Sequence, residues 1–223
     1  MKATVLKQIL DRHALWLRTN GAEGTMANLY GAYLEGANLY GANLVGANLK
    51  FANLERANLQ GADLYEANLY GANLIGANLE CANLEKANLE KANLEKANLK
   101  WANLELANLE KANLKWANLE GANLYGANLV GANLKGANLE KAYLKGANLE
   151  CANLECANLE RANLTDANLE GANVTGTILE KKETVSSVAA TFGDELNAKI
   201  AEIESFLDKH GMKLASPISI LPK

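Results

Sequence analysis

From Ala27 to about Leu179 the triplet Ala-Asn-Leu returns every five residues, as in Ala27-Asn28-Leu29, Ala37-Asn38-Leu39, Ala42-Asn43-Leu44 and, near the far end, Ala167-Asn168-Leu169. The run holds about 31 pentads. A period this strict is the mark of a solenoid, in which each short unit buries its apolar residues only against stacked neighbours. Period five fits neither a helix, which wants apolar residues at i, i+3, i+4 and i+7, nor a strand, which wants alternation. Ala and Leu are two residues apart and therefore share one side of an extended segment. The chain must turn a corner once per pentad. Asn before Leu and Gly after the turn suit that corner, because Asn bonds its local backbone and Gly tolerates positive φ.

The motif A-(N/D)-L-x-x resembles the pentapeptide-repeat family, over about 70% of the chain. The resemblance implies an all-β solenoid: a right-handed, quadrilateral parallel β-helix with four pentads per coil. Twenty residues per coil then gives about eight coils and, at ~4.8 Å between paired strands, a rod of about 35–40 Å. Tyr33, Asp63 and Tyr143 stand in place of Asn. Val174 replaces Leu and Thr177 replaces Ala, so the repeat decays where a cap should begin.

Three regions are expected: an N-terminal helical cap over 1–25, the β-helix over 26–180, and a C-terminal connector, helix and tail over 181–223. Residues from about Ala3 to Thr19 read as an amphipathic helix with Val5, Ile9, Leu10, Trp16 and Leu17 on its apolar face, stopped by Gly21. Covering the first coil would remove an open edge that invites end-to-end association. Asp194 opens a second helix that ends at Gly211. Its stripe of Leu196, Ile200, Ile203 and Leu207, with Phe206 alongside, either seals the last coil or pairs with a second copy. Several family members dimerise through C-terminal elements, so the resemblance favours a homodimer through this helix.

No stretch reaches the ~18 apolar residues of a membrane span, and no apolar leader precedes a cleavage site. Three cysteines, an odd number, argue against a secreted disulfide framework, so a cytoplasmic protein is expected. Catalytic, cofactor and metal sites are not expected. The two histidines, His13 and His210, lie at opposite ends of the chain, and neither has a partner for a triad. Cys151 and Cys156 fall on adjacent faces, and Cys81 is coils away. No G-x-x-x-x-G-K phosphate loop occurs. An interior of Ala and Leu leaves function to the outward positions.

Residues twenty apart should stack, which sorts the outward side chains by face. One face ends in Glu120, Glu140, Glu160 and Glu180, an acidic ladder that Lys141, Arg161 and Lys181 would soften. Trp101 and Trp116, with Leu106 and Phe51 at equivalent positions, are candidates for a partner surface. Trp116 is expected one coil from Lys96, at a cation–π distance. Tyr30, Tyr40, Tyr65 and Tyr70 gather towards the N-terminal end, and the Glu85-Lys86, Glu90-Lys91 and Glu95-Lys96 pairs suggest cross-coil ion pairs. The expected role is a non-enzymatic rigid scaffold or protein-binding module. The alternative comes from the family, some of whose members mimic duplex DNA and act on a type II topoisomerase, DNA gyrase. Charge weighs against it. Residues 26–180 carry 18 acidic and 12 basic side chains, whereas an equal length of duplex carries roughly 22 negative charges. Direct nucleic-acid binding is not expected.

Overall fold

A computed structural model of the chain describes residues 1–180. It divides into one compact unit, Met1–Ile178, and a second from Leu179 onward. The dimer-helix residues Leu196, Ile200, Ile203, Phe206 and Leu207, and His210, lie outside the described residues.

The first unit opens with helix α1 (Ala3–Arg18) and continues as the solenoid. Each outward Asn pairs in parallel with the residue twenty positions on, from Asn28 with Asn48 to Asn153 with Asn173. Four pentads therefore make one coil, and the coil has four sides. One column of stacked residues, 28 to 168, has eight levels, a rise of about 34 Å. Each side is a single bridge rather than a strand, because the turn leaves only Ala-Asn-Leu extended.

Every backbone N–H of a typical pentad has an acceptor, as a closed β-architecture requires. In the pentad beginning at Ala87, Ala87 N–H closes the turn on Leu84 O at 3.0 Å. Asn88 N–H reaches back to Ala67 O at 2.9 Å, and Leu89 N–H reaches forward to Asn108 O at 2.7 Å. Lys91 N–H reaches forward to Glu110 O at 2.9 Å. The remaining donor, Glu90 N–H, is taken by the Asn88 side-chain oxygen at 3.0 Å. This is the local bond expected of Asn, and it explains why the position is so uniform. The Asn side chains also bond one another between coils, for example Asn113 Nδ2 to Asn93 Oδ1 at 2.9 Å. Asp63 keeps both functions, accepting from Tyr65 N–H and from Asn83 Nδ2.

Inside, Leu44 to Leu154 are fully buried, in register with alanines that are equally covered. Each leucine removed from water contributes about 1.5–3 kcal/mol. The fifth residue of every pentad is left-handed. Glycine occupies it at Gly121 (φ 65°), but Trp101 (φ 59°), Lys91 (φ 57°) and fourteen similar residues do so as well, which places strain on the corners of the middle coils.

Helix α1 lies against the first coil, where Leu29, Leu34, Leu39 and Leu44 are buried. It ends as expected, with Gly21 at φ 85° donating to Trp16 O. Its inner face differs from the expected one at two residues. Val5 points outward and is 42% exposed, while His13 is fully buried. Ala27 has no preceding Leu on which to close a turn, since Gly24 stands there, and His13 Nδ1 accepts its N–H instead at 3.1 Å. Gly24 itself passes so close to α1 that a Cβ would lie 2.2 Å from Arg12 O. The N-terminal amine donates to Tyr33 O at 2.6 Å. No helix among the described residues is long and apolar enough to cross a membrane.

Candidate interaction surface

The rod has four corners, each a column of fifth-position residues twenty apart. The left-handed backbone there aims each side chain at the corner of the following coil. Trp101 consequently covers Gly121, Leu106 covers Gly126 and Trp116 covers Gly136. An added Cβ at Gly121 or Gly136 would lie 2.2 and 2.1 Å from the indole ring above it. The glycine cluster from Gly121 to Gly136 is therefore the seat of the bulky belt one coil earlier. Trp101, Leu106 and Trp116 each remain about half exposed, at 50%, 48% and 50%. They occupy three successive corners, and Lys111 stands at the fourth, over Gly131.

This direction overturns the expected Lys96–Trp116 contact. Trp116 leans away from Lys96 towards Gly136, and the cation–π partner of the belt is Lys100, 5.6 Å from the Trp101 ring.

A second aromatic group sits near the N-terminal end. Phe51 meets Tyr30 and Tyr70 edge-on, with centroids 5.8 and 5.4 Å apart. Lys50 and Lys91 lie over the Tyr70 ring at 5.2 and 5.1 Å. The Tyr70 hydroxyl, and after it Glu90, raises the Lys91 pKa. Tyr65 belongs to another corner, where Lys86 Nζ bonds its hydroxyl at 2.8 Å. Tyr40 joins neither group and is 67% exposed. The sequence reading missed the stack of Tyr125 on Tyr143, 6.1 Å apart and nearly parallel. Their spacing of eighteen was the available signal. The same spacing brings Asn98 Nδ2 to Glu80 and Asn123 Nδ2 to Glu105.

The acidic ladder is less acidic than its sequence. Lys100 pairs with Glu120 at 2.9 Å, and that contact raises the lysine pKa. Lys141 pairs with Glu140 at 2.8 Å and holds the carboxyl below its ordinary value, helped by the charges of Arg161 and Lys100. Glu160 continues the column, and Glu180 lies at the edge of the described residues. The Glu–Lys pairs also differ from expectation. Lys86–Glu85, Lys91–Glu90 and Lys96–Glu95 are neighbours within a pentad, at 3.6, 3.0 and 3.7 Å. They do so because fourth and fifth positions flank one corner. The cross-coil pairs are Lys100–Glu120 and Lys135–Glu155.

Cys81, Cys151 and Cys156 are exposed and free. No cluster of His, Cys, Asp and Glu suited to a metal ion occurs among the described residues. A groove of about 420 Å³ runs between α1 and the first coil, lined by Leu6, Leu10, Tyr33, Leu34 and Glu35 among others.

The family model for pentapeptide repeats matches in eight copies, over residues 27–65, 67–105, 107–146 and 142–180. Among solved structures the chain is similar to HetL, a pentapeptide repeat protein involved in heterocyst differentiation regulation from the cyanobacterium Nostoc sp. strain PCC 7120. The two share 37% identity over 68% of this chain and 84% of HetL, with a TM-score of 0.34. Rfr23, a pentapeptide repeat protein from the cyanobacterium Cyanothece 51142, shares 32% identity over 61% of this chain and 90% of its own, with a TM-score of 0.28. QnrB1, a plasmid-mediated fluoroquinolone resistance protein, shares 20% over 68% and 84%, with a TM-score of 0.49. No curated protein matches the chain.

Proposed function

As the chain belongs to the pentapeptide-repeat family, we propose that it is a non-enzymatic, rigid β-helix that serves as a scaffold or protein-binding rod, with the right-handed sense that membership implies. The observation that carries this reading is the division of labour between inside and outside. The interior is a ladder of fully buried Ala and Leu, and the chemistry lies on the corners. The Trp101–Leu106–Trp116 belt is the contact surface, since half-exposed indoles on a rigid seat lose little freedom on binding. In this reading helix α1 is the N-terminal cap, and the segment around Leu196–Leu207, whose apolar stripe is read from the sequence, would supply a C-terminal cap or dimer contact.

DNA mimicry is the rival reading, and the ion pairs argue against it. Glu120 and Glu140 are each matched by a lysine, so the ladder presents no continuous negative stripe. A gyrase supercoiling assay separates the two readings. The scaffold reading expects supercoiling to be unaffected by micromolar protein, whereas inhibition, or protection from a quinolone, would establish mimicry instead. Light scattering on full-length protein and on a chain ending near Lys182 tests the dimer. The full chain should have twice the monomer mass and the shortened chain should not.

A further inference from the structure

Helix α1 covers the first coil unevenly. Ala37 is only half-buried, whereas Ala57, one coil further along the same column, is fully buried. Beside Ala37 runs the groove of about 420 Å³, with Leu6 and Leu10 of α1 on one wall and Leu34, Ala37 and Asn38 on the other. The backbone bordering this groove has bonding groups to spare. Where a coil does precede, Asn58 N–H donates to Ala37 O at 2.9 Å, Leu39 N–H donates to Asn58 O at 2.7 Å and Gly41 N–H donates to Gln60 O at 2.9 Å. The corresponding groups one coil earlier, Asn38 N–H, Asn38 O and Tyr40 O, have no hydrogen-bond partner among the described residues, and neither has Glu35 O. The charges around the groove are matched save one. Lys7 pairs with Asp11 at 2.7 Å and the terminal amine bonds Tyr33 O at 2.6 Å, which leaves the Glu35 carboxylate without an ion pair among the described residues.

We propose that this groove is a docking site for a short extended segment of a partner protein, which adds one parallel side ahead of the first coil by β-augmentation. The lattice dictates the chemistry of that segment: a basic residue, a glycine, a small apolar residue and, two positions later, a larger apolar one. The glycine N–H would donate to Glu35 O, and the carbonyl of the small residue would accept Asn38 N–H. The N–H of the larger residue would donate to Asn38 O, and the N–H two positions after it to Tyr40 O. Each of these bonds repeats one that the interior coils make at the same register. The two apolar side chains lie two residues apart and therefore share one side of the segment, which faces the groove between Ala37 and the leucines of α1. The basic residue would lie over Glu35, as Lys100 lies one coil before Glu120 and bonds it at 2.9 Å. Tyr33, 77% exposed in place of Asn, stands at the side of the groove. This site is separate from the Trp101–Leu106–Trp116 belt and holds or fails independently of it.

The probe is a fluorescein-labelled peptide with blocked ends, Lys-Gly-Ala-Thr-Leu-Thr-Gly, titrated with the full chain and followed by anisotropy. Binding should saturate, and in the complex the Asn38 amide should exchange at least about tenfold more slowly while the amides of the belt are unchanged. Methylating the Leu nitrogen of the peptide removes the donor to Asn38 O without touching the protein, and should weaken binding about tenfold. Leu6→Trp fills the groove and should abolish binding with the circular dichroism of the chain retained. Should that variant disturb the fold, the methylated peptide decides alone. Replacing the Lys of the peptide by Glu should weaken binding about two- to fivefold, and Glu35→Lys should reverse that preference. Absence of saturable binding up to about 1 mM overturns the proposal. So does binding indifferent to the methyl group, or protection that falls on the belt instead of Asn38. An Asn38 amide that already exchanges slowly in the free chain means that the edge is occupied, which overturns the proposal as well.

Discussion

The Asn side chain closes the one backbone donor that the coil lattice leaves open, and its worth can be measured where it is missing. Tyr33 offers no oxygen to Glu35 N–H, and its ring stands 77% exposed. Tyr33→Asn should stabilise the rod by about 1 kcal/mol, read as a raised urea midpoint. The fifth position offers a sharper comparison. Gly136 and Gly146 share the left-handed conformation, but only Gly136 lies under an indole ring. Gly146→Ala should cost about 1 kcal/mol, the left-handed penalty alone. Gly136→Ala should cost clearly more, and Trp116→Gly should recover the excess in a double-mutant cycle. The local role of Asn was legible in the sequence because it follows from the chemistry of a single residue. The seating of Trp116 on Gly136 was not, because it depends on which way a left-handed corner aims its side chain.

At the scale of the element, α1 docks through a histidine that must stay neutral. His13 Nδ1 accepts the Ala27 N–H, so protonation there would set two donors against each other. Burial lowers its pKa, and the Val45 carbonyl offsets part of that; Nε2 makes no well-formed hydrogen bond. With the folded value below the unfolded ~6.5, the unfolded or undocked state binds the proton more readily. The contribution of His13 is therefore complete above about pH 6.5 and is lost as pH falls towards the lowered folded value. Trp16 stacks on His13 with centroids 5.8 Å apart, so its fluorescence should follow the change. A titration from pH 7.5 to 4.5 should show undocking in the unaltered chain, and His13→Gln should remove the pH dependence between 6.5 and 5. The helix itself was legible from its apolar spacing and from Gly21. The inward place of His13 was not, since a histidine between apolar residues reads equally as solvated until the missing turn before Ala27 gives it a partner.

For the whole molecule, the period gave a stacked solenoid with a core of Ala and Leu, while four sides and stacking at twenty residues came from the resemblance to the pentapeptide-repeat family. Charge patterns along the chain were a poorer guide, because adjacent Glu–Lys pairs satisfy each other across one corner before they reach another coil. A core substitution should act on the stack as a unit. Leu99→Ala, at a fully buried site, should cost about 2–5 kcal/mol in a single cooperative transition. The central claim is that one bonding lattice runs unbroken through the coils and that its last Leu and fifth-position donors have no acceptor among the described residues. Residue-resolved hydrogen exchange tests it most directly. Leu and fifth-position amides from Leu29 to Cys156 should be strongly protected, and those of Leu164, Asp166 and Leu169 should exchange orders of magnitude faster. Equal protection in the last coil, or fast exchange in the middle ones, would contradict the account.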